Sequence, residues 1–226
     1  MSKNTTYILT GYYGSGKTEF CVNLAKHIAE KSRGEVTIAD LDVVNPYFRS
    51  REKVAELADN GITVMGDSLD NNTGQDLPAV SYAFLSRVRD GGNVIIDLAG
   101  GENGIKLLPS CYDAISKADA YEFLCVLNLF RKETYTPQKM IDFVRKINGM
   151  GKLSITGLVN NGHMLHDTTE EHVLESQKAV LEASGVLGIP FKYTLVKRDI
   201  YNKISGEIKS ENVLVFDKLI MRESWQ

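Results

Sequence analysis

Cysteine is scarce in this 226-residue chain: three residues, at 21, 111 and 125, an odd number set far apart. That excludes a disulfide framework, so stability has to come from an apolar core, which a chain of this length is large enough to build. A strong excess of either charge is missing too. Lys and Arg number 26 against 29 Asp and Glu, a net charge of −3, which gives no electrostatic footprint for nucleic acid or an anionic membrane surface. No apolar run approaches the ~18 residues of a membrane span. The apolar stretch 213–221 lacks the Lys/Arg-rich polar face of a membrane-surface helix, so it is expected to pack on the core. Linkers, repeats and low-complexity tracts are absent, and a single domain over residues 1–226 is the expectation. Residues 1–6 lead straight into the first apolar run and leave no room for a signal peptide. The expected compartment is the cytoplasm.

What the chain does have is a phosphate loop. Gly11-Tyr12-Tyr13-Gly14-Ser15-Gly16-Lys17-Thr18 completes the pattern G-x-x-x-x-G-K-[ST], directly after the apolar run Tyr7-Ile8-Leu9-Thr10 and before a helical pattern. The glycines let backbone N–H groups close on an anion, and the helix N-terminus adds partial positive charge there. Lys17 is expected to reach the β- and γ-phosphates, and the Thr18 hydroxyl to ligate Mg²⁺. Strand, loop, Lys-Thr and helix in that order point to a nucleoside triphosphate; a glycine-rich turn without a ligand is the alternative.

Apolar segments alternate with amphipathic ones along the whole chain, as in an α/β fold with a mostly parallel sheet between helices, the three-layer P-loop arrangement. Strands are expected over 7–10, 36–39, 62–65, 94–96, 122–127, 155–159 and 191–195. Helices are expected over 17–31, 50–59, 77–89, 110–118, 137–148, 169–184 and 214–223. Gly185 and Pro190 are read as closing the sixth of these helices.

Ligands in parallel α/β sheets sit beyond the carboxyl ends of strands. Asp97 ends one such run and is followed by Leu98-Ala99-Gly100-Gly101. It is read as a Mg²⁺-side carboxylate, with Gly100 or Gly101 offering an N–H to the γ-phosphate. The second strand ends in Asp40-Leu41-Asp42. Only one of these acids is expected to face the phosphates, and Asp42 is chosen to orient or deprotonate the attacking water, or to polarise one on Mg²⁺; both acids capping loops is the plainer alternative. Asn45, Arg49 and Arg51 follow, in a mobile loop or as surface polar residues opening a helix. Asn160 and Asn161 end a later strand, where an amide can hydrogen-bond a purine edge. The Asp of the guanine-reading pattern Asn-Lys-x-Asp is missing from Asn160-Asn161-Gly162-His163, which favours ATP. An Asn-Asn-Gly turn is the alternative there.

These stations, in this order and spanning most of the chain, resemble the MinD/ParA/nitrogenase iron protein family of P-loop ATPases. The resemblance implies ATP and Mg²⁺ binding, slow hydrolysis and a nucleotide-controlled homodimer acting on a protein client. It carries Gly11, Tyr13, Gly14, Ser15, Gly16, Lys17 and Thr18 into the phosphate site, with Glu19 at the α-phosphate position. It also implies Asp42 and Asp97 at the metal, Asn160 at the base, and Arg198 in a loop (Leu195-Val196-Lys197-Arg198-Asp199) over the base. Two positions depart from the family. Tyr12 stands where a lysine usually reaches the partner subunit's nucleotide. Glu19 stands where a Ser or Thr usually donates to the α-phosphate, which an ionised carboxylate cannot do.

The expected activity is Mg²⁺-dependent ATP hydrolysis driving a switch. A scaffold or metallochaperone with little turnover is one alternative; an ATP-dependent kinase or synthetase using Asn45, Arg49, Lys106 or Arg131 for an anionic substrate is another. Metal binding through Cys111 across a dimer, or through His163 and His166, is the less favoured reading.

Overall fold

The computed structural model describes residues 4–32, 35–42, 54–66 and 83–221. Eight strands form one sheet in the order β3-β2-β4-β1-β5-β6-β7-β8, with every neighbouring pair parallel. They are β1 (Thr6–Gly11), β2 (Val36–Leu41), β3 (Ile62–Met65), β4 (Asn93–Leu98), β5 (Tyr121–Leu127), β6 (Gly157–Asn160), β7 (Phe191–Lys197) and β8 (Asn212–Phe216). The helices are α1 (Lys17–Ser32), α2 (Val54–Ala58), α3 (Phe84–Arg89), α4 (Glu102–Ile105), α5 (Tyr112–Ser116), α6 (Pro137–Met150), α7 (Glu170–Leu187) and α8 (Arg198–Ile204).

Side-chain alternation divides the core between the two faces of the sheet. Ile8, Ile96, Phe123 and Leu127 pack with Phe84 of α3, Met140 and Val144 of α6 and Val180 of α7. Leu9, Ile38, Ile95 and Val126 face the other way, onto Phe20 and Leu24 of α1 and Leu57 of α2. Burial on both faces is why these strands read as continuous apolar runs. Two of the longer helices, α6 and α7, start on side-chain caps. The Thr136 hydroxyl accepts from Lys139 N ahead of Pro137, and Thr169 and His172 form a reciprocal capping box on α7.

The expected helix over 214–223 is a correction. Residues 212–216 are β8, paired with β7 from Tyr193–Asn212 to Lys197–Phe216. Val213-Leu214-Val215-Phe216 is rich in β-branched and aromatic residues, and the open edge of β7 satisfies its backbone as a helix would. Gly185 lies inside α7; Gly188 ends that helix in the left-handed region at φ 65°. The segment 110–118 is a 3₁₀ turn, Leu108–Cys111, followed by the short α5. Residues 50–53 and 77–82 of two expected helices lie outside the described residues, as do Asn45, Arg49 and Arg51.

Candidate nucleotide site

The loop between β1 and α1 wraps at the carboxyl edge of the sheet, beside the ends of β4 and β5. Gly16 holds φ +80°, and a Cβ there would lie 2.2 Å from the Asn161 amide nitrogen, so the position admits only glycine. The loop is tied from three sides. Ser15 N donates to Tyr12 O (3.1 Å), Gly101 N donates to Gly11 O (3.0 Å), and the Asn161 amide donates to Ser15 O (2.7 Å). Lys17 is buried although it opens a helix, its side chain drawn in among carboxylates.

Those carboxylates are Asp40, Asp42 and Asp97. Asp40 and Asp97 stand opposite each other in the β2–β4 ladder, and Asp42 N donates to the Asp40 carboxylate at 3.2 Å. Asp97 is only 1 % exposed, and neither of its oxygens accepts a well-formed hydrogen bond. Its carboxyl is pushed up to about 7, chiefly by burial; Lys17 opposes the shift, Asp40 adds to it, and the adjacent Thr18 hydroxyl and Asp42 make smaller contributions of opposite sign. A buried carboxylate with empty acceptors beside a lysine and a threonine fits a hard cation shared with phosphate oxygens. Among the described residues no group of three His, Cys, Asp or Glu could hold a metal by itself. Mg²⁺ would therefore be held by Thr18, Asp97 and Asp42 jointly with the nucleotide. Of the two acids, Asp42 lines the cavity and Asp40 does not; both charges are nevertheless felt at Asp97, since residues two apart along a strand share a face instead of pointing to opposite ones.

A cavity of about 520 Å³ opens from the loop. It is walled by Tyr13, Gly14, Gly16, Lys17, Thr18 and Asp42, and also by residues 195–197, 199–200, 216–219 and 221. Tyr13 leans over the β4 loop, where a Cβ on Gly100 would lie 2.6 Å from its ring. Of the two glycines read as γ-phosphate contacts, Gly101 has its N–H committed to Gly11 O, which leaves that of Gly100.

Three expected contacts lie elsewhere. Asn160 is fully buried with its amide engaged at both ends, donating to Val173 O (3.2 Å) and accepting from Gly162 N (3.2 Å). Strand alternation turns Asn160 toward α7 and its neighbour Asn161 toward the loop and cavity. Arg198 does not line the cavity; its guanidinium grips both oxygens of the exposed Asp217. Glu19 borders the cavity, yet its carboxylate is turned onto the C-terminal segment, accepting from Ile220 N (3.0 Å), Met221 N (2.9 Å) and the Asn23 amide (3.0 Å). The charge that looked unfavourable beside phosphates is a backbone latch. Tyr12, at the departing lysine position, packs edge-on against Phe143 of α6 at 5.8 Å between ring centres. All three cysteines are buried thiols, Cys111 pushed up to about 11 and Cys21 and Cys125 also raised, in each case chiefly by burial. They offer no thiolate. Lys106 is exposed at the end of α4.

The wall formed by residues 216–219 and 221 had no sequence signal, because it depends on β8 joining the sheet. Among the described residues no helix is long and apolar enough to cross a membrane.

No protein-family model and no curated protein matches the chain. Solved structures do. Chloroplast FtsY from Physcomitrella patens aligns with a TM-score of 0.57 at 20 % identity, covering 86 % of this chain and 59 % of that one. FtsY from Elizabethkingia anophelis in complex with GDP gives 0.52 at 18 %, covering 86 % and 57 %. The signal recognition particle 54 kDa protein from Aeropyrum pernix, in complex with GDP, gives 0.52 at 19 %, covering 85 % and 41 %. This chain thus spans under two thirds of the length of those it matches. None of the three is named as a MinD or ParA protein, so the likeness does not single out that family. At this identity the likeness is one of architecture: an eight-stranded parallel α/β sheet with the P-loop NTPase fold.

Proposed function

We propose that this protein binds a Mg²⁺–nucleoside triphosphate and hydrolyses it as a conformational switch. One observation carries the reading: Lys17 and Thr18 line a nucleotide-sized cavity, and the buried carboxylate of Asp97 stands beside them with no well-formed hydrogen bond of its own. Lys17 and the loop N–H groups bind the phosphates and spread their charge. Asp42, on the cavity wall, orients the attacking water and takes up its proton. Thr18, Asp97 and Asp42 would hold Mg²⁺ together with the nucleotide, and the ion would supply neutralisation of the charge that develops on the phosphate oxygens.

ATP is the first reading for the base, since no acid follows Asn160 at the guanine-reading position. A guanine nucleotide is the second. It is favoured by two carboxylates, Asp199 and Asp217, on the wall of the cavity, and by GDP in two of the fold neighbours. Displacement of a labelled nucleotide by ATP and GTP, each with Mg²⁺ and with EDTA, tests the proposal. Displacement by neither discards the site, and stronger displacement by GTP hands it to the second reading. The proposed assembly is a cytoplasmic homodimer serving an unidentified protein client. Light scattering with and without Mg²⁺-nucleotide tests it, and a monomer under both conditions discards the dimer.

A further inference from the structure

The phosphate loop carries a second cation that this reading leaves unused. Arg131 follows β5, and its Nε donates to Gly14 O at 2.7 Å while one terminal nitrogen donates to Phe130 O at 3.4 Å. Of the five guanidinium N–H groups, three then have no protein partner among the described residues. Arg131 is half-buried and pairs with no carboxylate there; burial alone lowers its pKa. An arginine taken partly out of water without an anion is unfavourable, and this one rests on a loop shaped for anions.

Its position is built. The buried Asn128 accepts from Phe130 N (3.0 Å) and donates to His163 O (3.2 Å), the Thr134 hydroxyl donates to Asn128 O (2.6 Å), and Thr134 N donates to Arg131 O (2.9 Å). Gly14 makes room for the guanidinium: it holds φ +73°, and a Cβ on it would lie 3.1 Å from Arg131 Nε. The cavity is walled by this loop and by residues 195–197, 199–200, 216–219 and 221, and Gly14 belongs to its phosphate-loop side. Its neighbour Tyr13 touches Gly100, the glycine left to meet a terminal phosphate. Arg131 lies behind Gly14 at that rim rather than on the cavity wall.

We propose that Arg131 is a terminal-phosphate discriminator, a preset cation whose remaining N–H groups engage the γ-phosphate and so favour nucleoside triphosphate over diphosphate. The inference rests on the nucleotide-site reading above. Guanidinium suits the role because it keeps its charge when partly buried and presents a fork to phosphate oxygens.

The test compares affinities for the γ-thio triphosphate and the diphosphate of whichever base the wild type binds more tightly, by calorimetry with Mg²⁺. In Arg131→Gln the preference for triphosphate is expected to fall at least tenfold, with diphosphate affinity within twofold of wild type. Arg131→Lys, which keeps the charge, is expected to recover at least a third of the wild-type preference. An equal loss for both nucleotides, or no loss, overturns the proposal, since Arg131 would then only shape the loop. Arg131→Lys behaving like Arg131→Gln overturns the charge argument. Wild type binding neither nucleotide is a different failure, that of the nucleotide site itself.

Discussion

Replacing Asp97 by Asn should make the nucleotide-free protein more stable and its Mg²⁺-nucleotide complex weaker. The carboxyl titrates near 3.8 when unfolded and near about 7 in the folded chain. Between those values the unfolded chain has released its proton while the folded chain retains it. Stability therefore falls as pH rises through this window and is lowest above about 7. The full displacement corresponds to about 4 kcal/mol. That is an upper bound, because an asparagine amide in the same place also needs partners. Half of it, about 2 kcal/mol, raises the melting temperature of a chain this size by about 4–8 °C. Calorimetric melting of nucleotide-free wild type and Asp97→Asn should coincide only near about pH 3, below the unfolded value of 3.8, where the carboxyl is protonated in both states. The two should separate as pH rises and reach a constant gap above pH 8. Adding Mg²⁺-nucleotide should reverse the order, since the variant loses a metal ligand. A gap that ignores pH, or a variant less stable than wild type at pH 8, would refute the idea of a carboxylate held ready for a cation.

Lys17→Ala should weaken Mg²⁺-nucleotide binding at least tenfold, about 1.4 kcal/mol; unchanged affinity by calorimetry would remove the phosphate-loop assignment. Asp42→Asn should keep nucleotide affinity within a few-fold and depress phosphate release strongly. Turnover near wild type would make Asp42 structural and shift attention to its neighbour Asp40. Glu19→Ala removes three acceptor contacts, two of them to the backbone of the C-terminal segment, and should lower stability by about 2–3 kcal/mol. Proteolysis near residues 217–221 should quicken in parallel, and an unchanged cleavage rate would argue that β8 alone holds the segment.

The phosphate loop was legible because its chemistry is local. Glycines at fixed intervals, a lysine and a threonine lie within eight consecutive residues, and the flanking strand and helix are visible in their own periodicities. Most strands were legible for a related reason: burial on both faces writes them as unbroken apolar runs. Tertiary contact decided the rest. Whether 212–216 becomes helix or strand depends on the vacant edge of β7, which no window of sequence contains. That one pairing places residues 216–219 and 221 on the cavity wall and turns Glu19 from an apparent electrostatic fault into a latch. Which of Asn160 and Asn161 meets the loop follows from where β6 ends, a matter of one residue. The meeting of Asp40, Asp42 and Asp97 with Lys17, and of Arg131 with Gly14, joins segments distant in the chain. Strand order brings them together, and only long-range packing sets strand order.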